Sequence, residues 1–242
     1  MTEPRADYPE PGPHDPLEPL FDDVFWVHGS VEFGPGLSMN RNMVVLREND
    51  GLTLIHPVRL SAEGEHALER LGDVRHVVRL GTAHGRDDRY YVDRYGASFW
   101  CQAGSTNYPE PAPTHILGEA APLPVSGAEL FVFRDVTTPE SALLLQRHGG
   151  LLITGDSLHN WTAWSHCSDK AIAILEKGGI SLTMLVGTFW QRHVTPEGGS
   201  LKPDFERLLT LDFSHHIGAH GALARDNAHS LIETAVARAF PA

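Results

Sequence analysis

Three stretches of this chain combine imidazole and carboxylate groups in a way that could do chemistry. Residues 149–161 read Gly-Gly-Leu-Leu-Ile-Thr-Gly-Asp-Ser-Leu-His-Asn-Trp, so a short apolar run at Leu151, Leu152 and Ile153 hands Asp156 and His159 to the loop beyond Gly155. A short apolar run bounded by glycines predicts a buried strand, and polar groups just past its end stand on a rigid support. Residues 213–221, Phe-Ser-His-His-Ile-Gly-Ala-His-Gly, have the same form and end on His220. Residues 81–89, Gly-Thr-Ala-His-Gly-Arg-Asp-Asp-Arg, follow the apolar segment 74–80 and add His84, Arg86, Asp88 and Arg89. Imidazoles and carboxylates at strand ends can hold a divalent ion or work as a general acid–base pair. Each residue also has a plainer use: Asp156 can cap its turn, Asp88 can cap a helix, and His220 can be a hydrogen-bonded core histidine.

The elements that must position these groups alternate strand and helix. Segments 24–27, 43–46 and 52–55 read as strands joined by short turns. A helix capped by Ser61 carries Ala67, Leu68 and Leu71 and stops at Gly72. A strand at 74–80, a short helix at 87–95 and a strand at 98–101 follow, then a loop at 102–127 with five prolines. The second half repeats the pattern: strands at 130–133, 142–146 and 151–154, a helix at 168–177, a Pro203-led helix at 204–211, a strand ending at His216 and a closing helix at 226–240. Two strand-rich starts with helical ends predict an α/β fold, a four-layer α/β/β/α sandwich spanning 21–242. Residues 1–20 hold six prolines and no periodicity, which predicts a disordered or extended arm.

Bulk properties narrow the function classes. The chain has 242 residues, a formal net charge of −12 and 41% hydrophobic residues, so it can bury a core and repels nucleic-acid phosphates and anionic membranes. Two cysteines, Cys101 and Cys167, are too few for a disulfide framework. With neither a signal peptide nor a membrane-length apolar run, the expected location is cytoplasmic. Fifteen histidines raise the expectation of a metal site.

The segment 151–158, a strand followed by Gly-Asp, and the late Ala219-His220-Gly221 resemble the metallo-β-lactamase superfamily, in a divergent branch marked by the stretch 155–161 and by Lys202-Pro-Asp204. That resemblance implies a centre for two metal ions built from a His-x-His-x-Asp-His loop, a mid-chain His, the Gly-Asp carboxylate and the late His. Carried over position by position, the loop keeps His84 and Asp88, while Arg86 and Arg89 replace two histidines. The mid-chain His becomes Thr137, and an early strand-end Asp becomes His56. One metal position would keep only His84 and Asp156. The other would keep Asp88, Asp156 and His220.

The resemblance therefore implies a metal-dependent, hydrolase-like enzyme with a reduced, mononuclear centre at Asp88, Asp156 and His220, with His84 at its edge. Zinc, iron or manganese would activate a water, as such ions lower its pKa to about 7. His84 or His159 would shuttle a proton, and Arg86 would clamp an anionic small-molecule substrate or oxyanion. The alternative is a metal-free, non-catalytic ligand-binding or scaffolding descendant, with arginines replacing metal charge by ion pairs. A redox centre on His84, His220 and Asp156 is the remaining reading.

Overall fold

A computed structural model describes residues 8–241. The chain opens with β1 (Glu18–Phe21), β2 (Val24–Gly34), β3 (Leu37–Glu48) and β4 (Gly51–Ile55), an antiparallel series. Two helical crossovers follow: α1 (Ala62–Leu71) leads to β5 (Val74–Arg79), and α2 (Asp88–Tyr95) leads to β6 (Ser98–Gln102). With β7 (His115–Leu117), these strands form one seven-stranded sheet in chain order, parallel from β4 onward.

The second half contains β8 (Ala128–Val132), β9 (Ser141–Leu145) and β10 (Leu151–Thr154), then a ribbon of β11 (Leu158–Asn160) and β12 (Met184–Val186). The helices α3 (Asp169–Lys177), α4 (Thr188–Val194) and α5 (Lys202–Leu208) precede β13 (His215–Gly218), and α6 (Ala228–Ala239) closes the chain. The second sheet runs β13-β10-β9-β8, with β10 and β13 parallel.

Alternation along the strands builds the layers. Val44 and Leu46 of β3 join Leu151, Ile153 and Ile217 in a core between the two sheets, whereas Met43 and Val45 face α1 and α2 with Leu68 and Tyr91. In β10, Leu151 and Ile153 face that inter-sheet core, while Leu152 turns to the opposite core, lined by Val194, Phe205 and Ile232 of α4, α5 and α6. A strand buried on both faces must be apolar throughout, and this explains the unbroken Leu-Leu-Ile run. The result is the expected helix–sheet–sheet–helix sandwich. Ser61 and Ser168 cap α1 and α3, their hydroxyls accepting the Gly64 and Ala171 N–H groups at 3.2 and 3.3 Å.

Two features depart from the sequence expectation. β7, β11, β12 and α4 are too short or too polar to show a period. Order also begins before residue 22: the Ser30 N–H donates to the Pro13 carbonyl at 2.9 Å and the Asp15 N–H to the His28 carbonyl at 2.8 Å. Proline removes donors but keeps its carbonyl, so the arm can still lie along β2 and cover its edge. Residues 1–7 of the predicted arm lie outside the described residues.

Ile153 is 1% exposed between the sheets. Ile153→Ala should lower unfolding free energy by about 2–5 kcal/mol, read as a reduced urea midpoint with an unchanged slope.

Candidate metal centre

Strand pairing dictates the site. Parallel pairing sets Thr154 beside Gly218 at the ends of β10 and β13, so Asp156 and His220, each two residues further on, emerge side by side. β11 then returns His159 to the same place, and Asn160 bridges to Gly221. Gly221 has φ +82°, and a side chain there would collide with the Asn160 backbone. From the first sheet, the loop after β5 contributes His84 at φ +70°. His84 Nε2 lies 2.7 Å, His220 Nε2 3.2 Å and His159 Nε2 3.7 Å from the same Asp156 oxygen, Oδ1. One ligand atom from each of His84, Asp156 and His220 falls within 4.8 Å of the other two. These groups floor a cavity of about 240 Å³ walled by Phe33, Met39, Tyr108, Trp161 and Phe189.

Proton positions follow from the partners. His220 Nδ1 is 2.6 Å from the Asn40 carbonyl, which only accepts, so Nδ1 carries the proton and Nε2 presents a lone pair to Asp156. His84 is the reverse. Its Nδ1 faces Arg41 Nη1, and a guanidinium only donates, so the His84 proton sits on Nε2 and is donated to Asp156. Arg41 Nη2 also donates to the His84 carbonyl at 3.3 Å. The Trp161 indole N–H donates to His159 Nδ1 at 3.3 Å, which leaves the His159 proton on Nε2, aimed at Asp156.

Burial opposes ionisation of Asp156, but the His159 Nε2 proton and, whenever His220 takes a second proton on Nε2, the His220 hydrogen bond and charge outweigh it and hold this carboxyl well below the usual range. Burial pushes His220 down, against the pull of Asp156. His56 packs against His84 with ring centroids 5.3 Å apart, and burial plus the Arg41 charge take it down to about 3. A neutral His56 adds no charge to the floor.

No family model and no curated protein matches the sequence. Solved structures do. VMB-1 superposes with a TM-score of 0.64 at 9% identity, over 94% of this chain and 97% of that one. A metallo-β-lactamase from Pontibacter korlensis gives 0.61 at 12% identity, over 93% and 97%. The metallo-β-lactamase FIM-1 from Pseudomonas aeruginosa, in its mono-zinc form, gives 0.60 at 12% identity, over 96% and 98%. The chain has the metallo-β-lactamase fold.

Within that fold the residues singled out from sequence separate into two groups. His84, Asp156, His159 and His220 converge. Asp88 does not join them: it begins α2 and turns toward β5, where its carboxylate lies 3.3 Å from Arg79 Nη1, both side chains essentially inaccessible. Burial pushes the Asp88 carboxyl up to about 7 in spite of the Arg79 and Arg41 charges. Arg86 stands at the cleft rim and donates to the Glu32 carbonyl, not to a carboxylate. Arg89 points outward to Glu110 at 2.6 Å and Asp93 at 3.4 Å. Thr137 is tied to the Val194 carbonyl, and from the same segment it is Glu140 that comes up against Gly155, beneath the Asp156 turn.

The cation inside the site is Arg41, which sequence reading did not single out. Its signal was present: Asn40-Arg41-Asn42 is a polar triplet within an otherwise largely apolar strand, and all three side chains are buried.

The Arg79–Asp88 pair gives a direct test of this placement. Asp88→Ala should cost about 3–5 kcal/mol by stranding Arg79, whereas Arg79→Met with Asp88→Leu should return stability to within about 1 kcal/mol of the parent or above it. Metal content of the folded double variant should equal the parent's.

Proposed function

We propose that the protein is a metal-dependent hydrolase whose cleft holds a single divalent ion, zinc in the first instance, through Asp156, His220 and His84. The observation that carries this reading is the facing of two lone pairs, His220 Nε2 and Asp156 Oδ1, 3.2 Å apart. Two acceptors at that separation call for a cation between them, and the Asn40 carbonyl behind His220 is the kind of outer partner that orients a metal-binding imidazole. Two imidazoles and a carboxylate suit zinc with open coordination positions. The donor set fits one ion and not two, since Arg41 brings a permanent positive charge against His84. FIM-1, of the same fold, is described in a mono-zinc form.

A bound divalent ion supplies a Lewis acid and a water of lowered pKa. The chain's own groups do the rest. His159, with its Nε2 proton directed at Asp156 and its ring fixed by Trp161, is placed to hand a proton to a leaving group. Arg86 at the rim offers a guanidinium to an anionic group, and the aromatic walls accept the apolar part of a small substrate and keep water out. A proton shuttle of this kind contributes about 10²–10⁴-fold. His159→Gln should therefore lower kcat by about that factor against whichever ester, amide or thioester is turned over, with metal content retained.

A second reading has a specific observation in its favour. His84 already gives its Nε2 proton to Asp156 because Arg41 occupies the other face, and to ligate a metal it would have to surrender that proton. In this reading the cleft is a metal-free binding site, with Arg41 supplying the charge.

Metal analysis after dialysis against zinc separates the two. One zinc equivalent more in the parent than in Asp156→Ala is the expected result. Arg41→Met removes a repulsion on the order of 2–4 kcal/mol at an effective dielectric of about 20, so zinc should bind at least about tenfold more tightly. A parent without cleft zinc, beside an Arg41→Met variant that gains it, would instead establish the metal-free reading.

A further inference from the structure

A second cluster of metal-binding side chains lies outside the cleft, built from three distant parts of the chain. Asp15 comes from the N-terminal arm, His28 from β2, and His166 from the loop before α3, and one ligand atom from each falls within 4.8 Å of the others. We propose that Asp15, His28 and His166 form a zinc site that clamps the arm and the cleft-wall loop to the first sheet.

Proton accounting at His28 supports ligation. The Asn42 side-chain amide donates to the Gly218 and Gly221 carbonyls, both at 2.9 Å, which fixes its orientation and turns Oδ1 toward His28. His28 Nδ1 lies 2.9 Å from that oxygen and 3.2 Å from Asn40 Nδ2, whose two protons have the Gly29 carbonyl at 3.2 Å and Asn42 Oδ1 at 3.3 Å as acceptors. The shorter contact assigns the His28 proton to Nδ1 and the lone pair to Nε2. The His28 and His166 rings stand 5.0 Å apart, edge to face. His166 Nε2 is 3.1 Å from Asp15 Oδ2, close to the ~3.3 Å between two ligands that each sit about 2.0–2.1 Å from a tetrahedral zinc. In the metal-free pair, a proton on His166 holds these two atoms together.

The backbone is committed to this arrangement. His166 sits at φ +58° in a turn closed by the Cys167 N–H on the Trp164 carbonyl at 3.1 Å. A β-carbon-bearing residue at such an angle is disfavoured, and residues held this way cluster where a side chain must be aimed. The turn is pinned to β3 by the Ser168 N–H on the Ser38 carbonyl at 3.0 Å and by the Asn40 N–H on Cys167 Sγ at 3.4 Å. Trp164 of the same turn packs on Trp161, which walls the cleft. Zinc on His166 would thus restrain the cleft wall, and Asp15 would carry the arm into the same clamp. Two imidazoles, one carboxylate and room for water on the exposed side of Asp15 make zinc the fitting ion.

The test is zinc stoichiometry by equilibrium dialysis and metal analysis, with thermal melting at matched zinc concentrations. His166→Gly suits the positive φ, and Asp15→Asn alters only a half-exposed carboxylate. Each should bind one zinc fewer than the parent, and each should lose more than half of the zinc-dependent rise in melting temperature. Asp156→Ala removes a different equivalent if the cleft holds one, so the double variant with His166→Gly separates the two sites. Unchanged stoichiometry and an unchanged melting shift in both His166→Gly and Asp15→Asn would overturn the clamp, whatever the cleft binds.

Discussion

Asn40, Arg41 and Asn42 lie buried in the middle of β3, and the cleft is organised around how their polar groups are satisfied. A buried amide or guanidinium without a partner costs free energy on the scale of a lost hydrogen bond or more. Most partners of the two asparagines belong to the second half of the chain, and the partner of Arg41 to the loop after β5. Asn42 takes the Ala219 carbonyl with its main-chain N–H and the Gly218 and Gly221 carbonyls with its side chain. Asn40 accepts the Gly221 N–H at 2.6 Å on its side chain and the His220 proton on its main chain. Arg41 lies against His84. The triplet is therefore satisfied only when both sheets have docked and the His220 and His84 loops are in place. Apolar packing between the sheets would tolerate small slips in position. These hydrogen bonds would not, and they convert a greasy interface into a defined cleft.

The distribution of charge follows from the same constraint. One carboxylate, Asp156, faces three imidazoles, with a guanidinium behind one of them. Asp88, four residues on from His84 at the start of α2, has its own arginine, Arg79. The two buried arginines thus divide the local acids: Arg79 takes Asp88 out of the cleft, and Arg41 leaves Asp156 facing the cavity with 22% of its side chain exposed. A carboxylate that stays ionised, keeps an open side and accepts protons or a cation from several directions is suited to chemistry. The Arg79–Asp88 pair, closed off from water, is suited to holding α2 on β5.

Much of this was legible in the sequence, for identifiable reasons. β10 announced itself because a strand covered on both faces must be apolar, and the serine caps because a helix start leaves N–H groups that a hydroxyl satisfies. Asp156, His159, His220 and His84 could be placed near one another because all lie just beyond strand ends, where the chain has few directions to take. Asp88 was misplaced because successive residues at a helix start point about 100° apart, and spacing alone does not say which of Asp87 and Asp88 faces the cleft. Asp87 lines the cavity and accepts the Arg59 N–H at 3.1 Å, whereas Asp88 turns away to Arg79. Arg41 was invisible to motif reading because its role depends on a residue forty-three positions away. The ribbon of β11 and β12 hid for another reason, being only three residues per strand, with His159 of β11 lining the cleft.

The positive partner of Asp156 is what links fold to function. Three kinds of positive group can stand beside a buried carboxylate: a proton on an imidazole, a guanidinium, or a metal ion. They are interchangeable in charge but not in geometry. A proton lies on the line between two atoms and satisfies one lone pair. A guanidinium is planar and needs donors aimed along its edges. A metal ion gathers lone pairs from several directions at once. His84 presents Asp156 with a proton, enforced by Arg41, whereas His220 presents a lone pair, enforced by Asn40. The cleft is thus asymmetric: Asp156 accepts a proton on its His84 side and faces a lone pair on its His220 side. Identities of only 9–12% accompany the shared fold, so the character of this cleft follows from which group each strand end of this chain offers to Asp156.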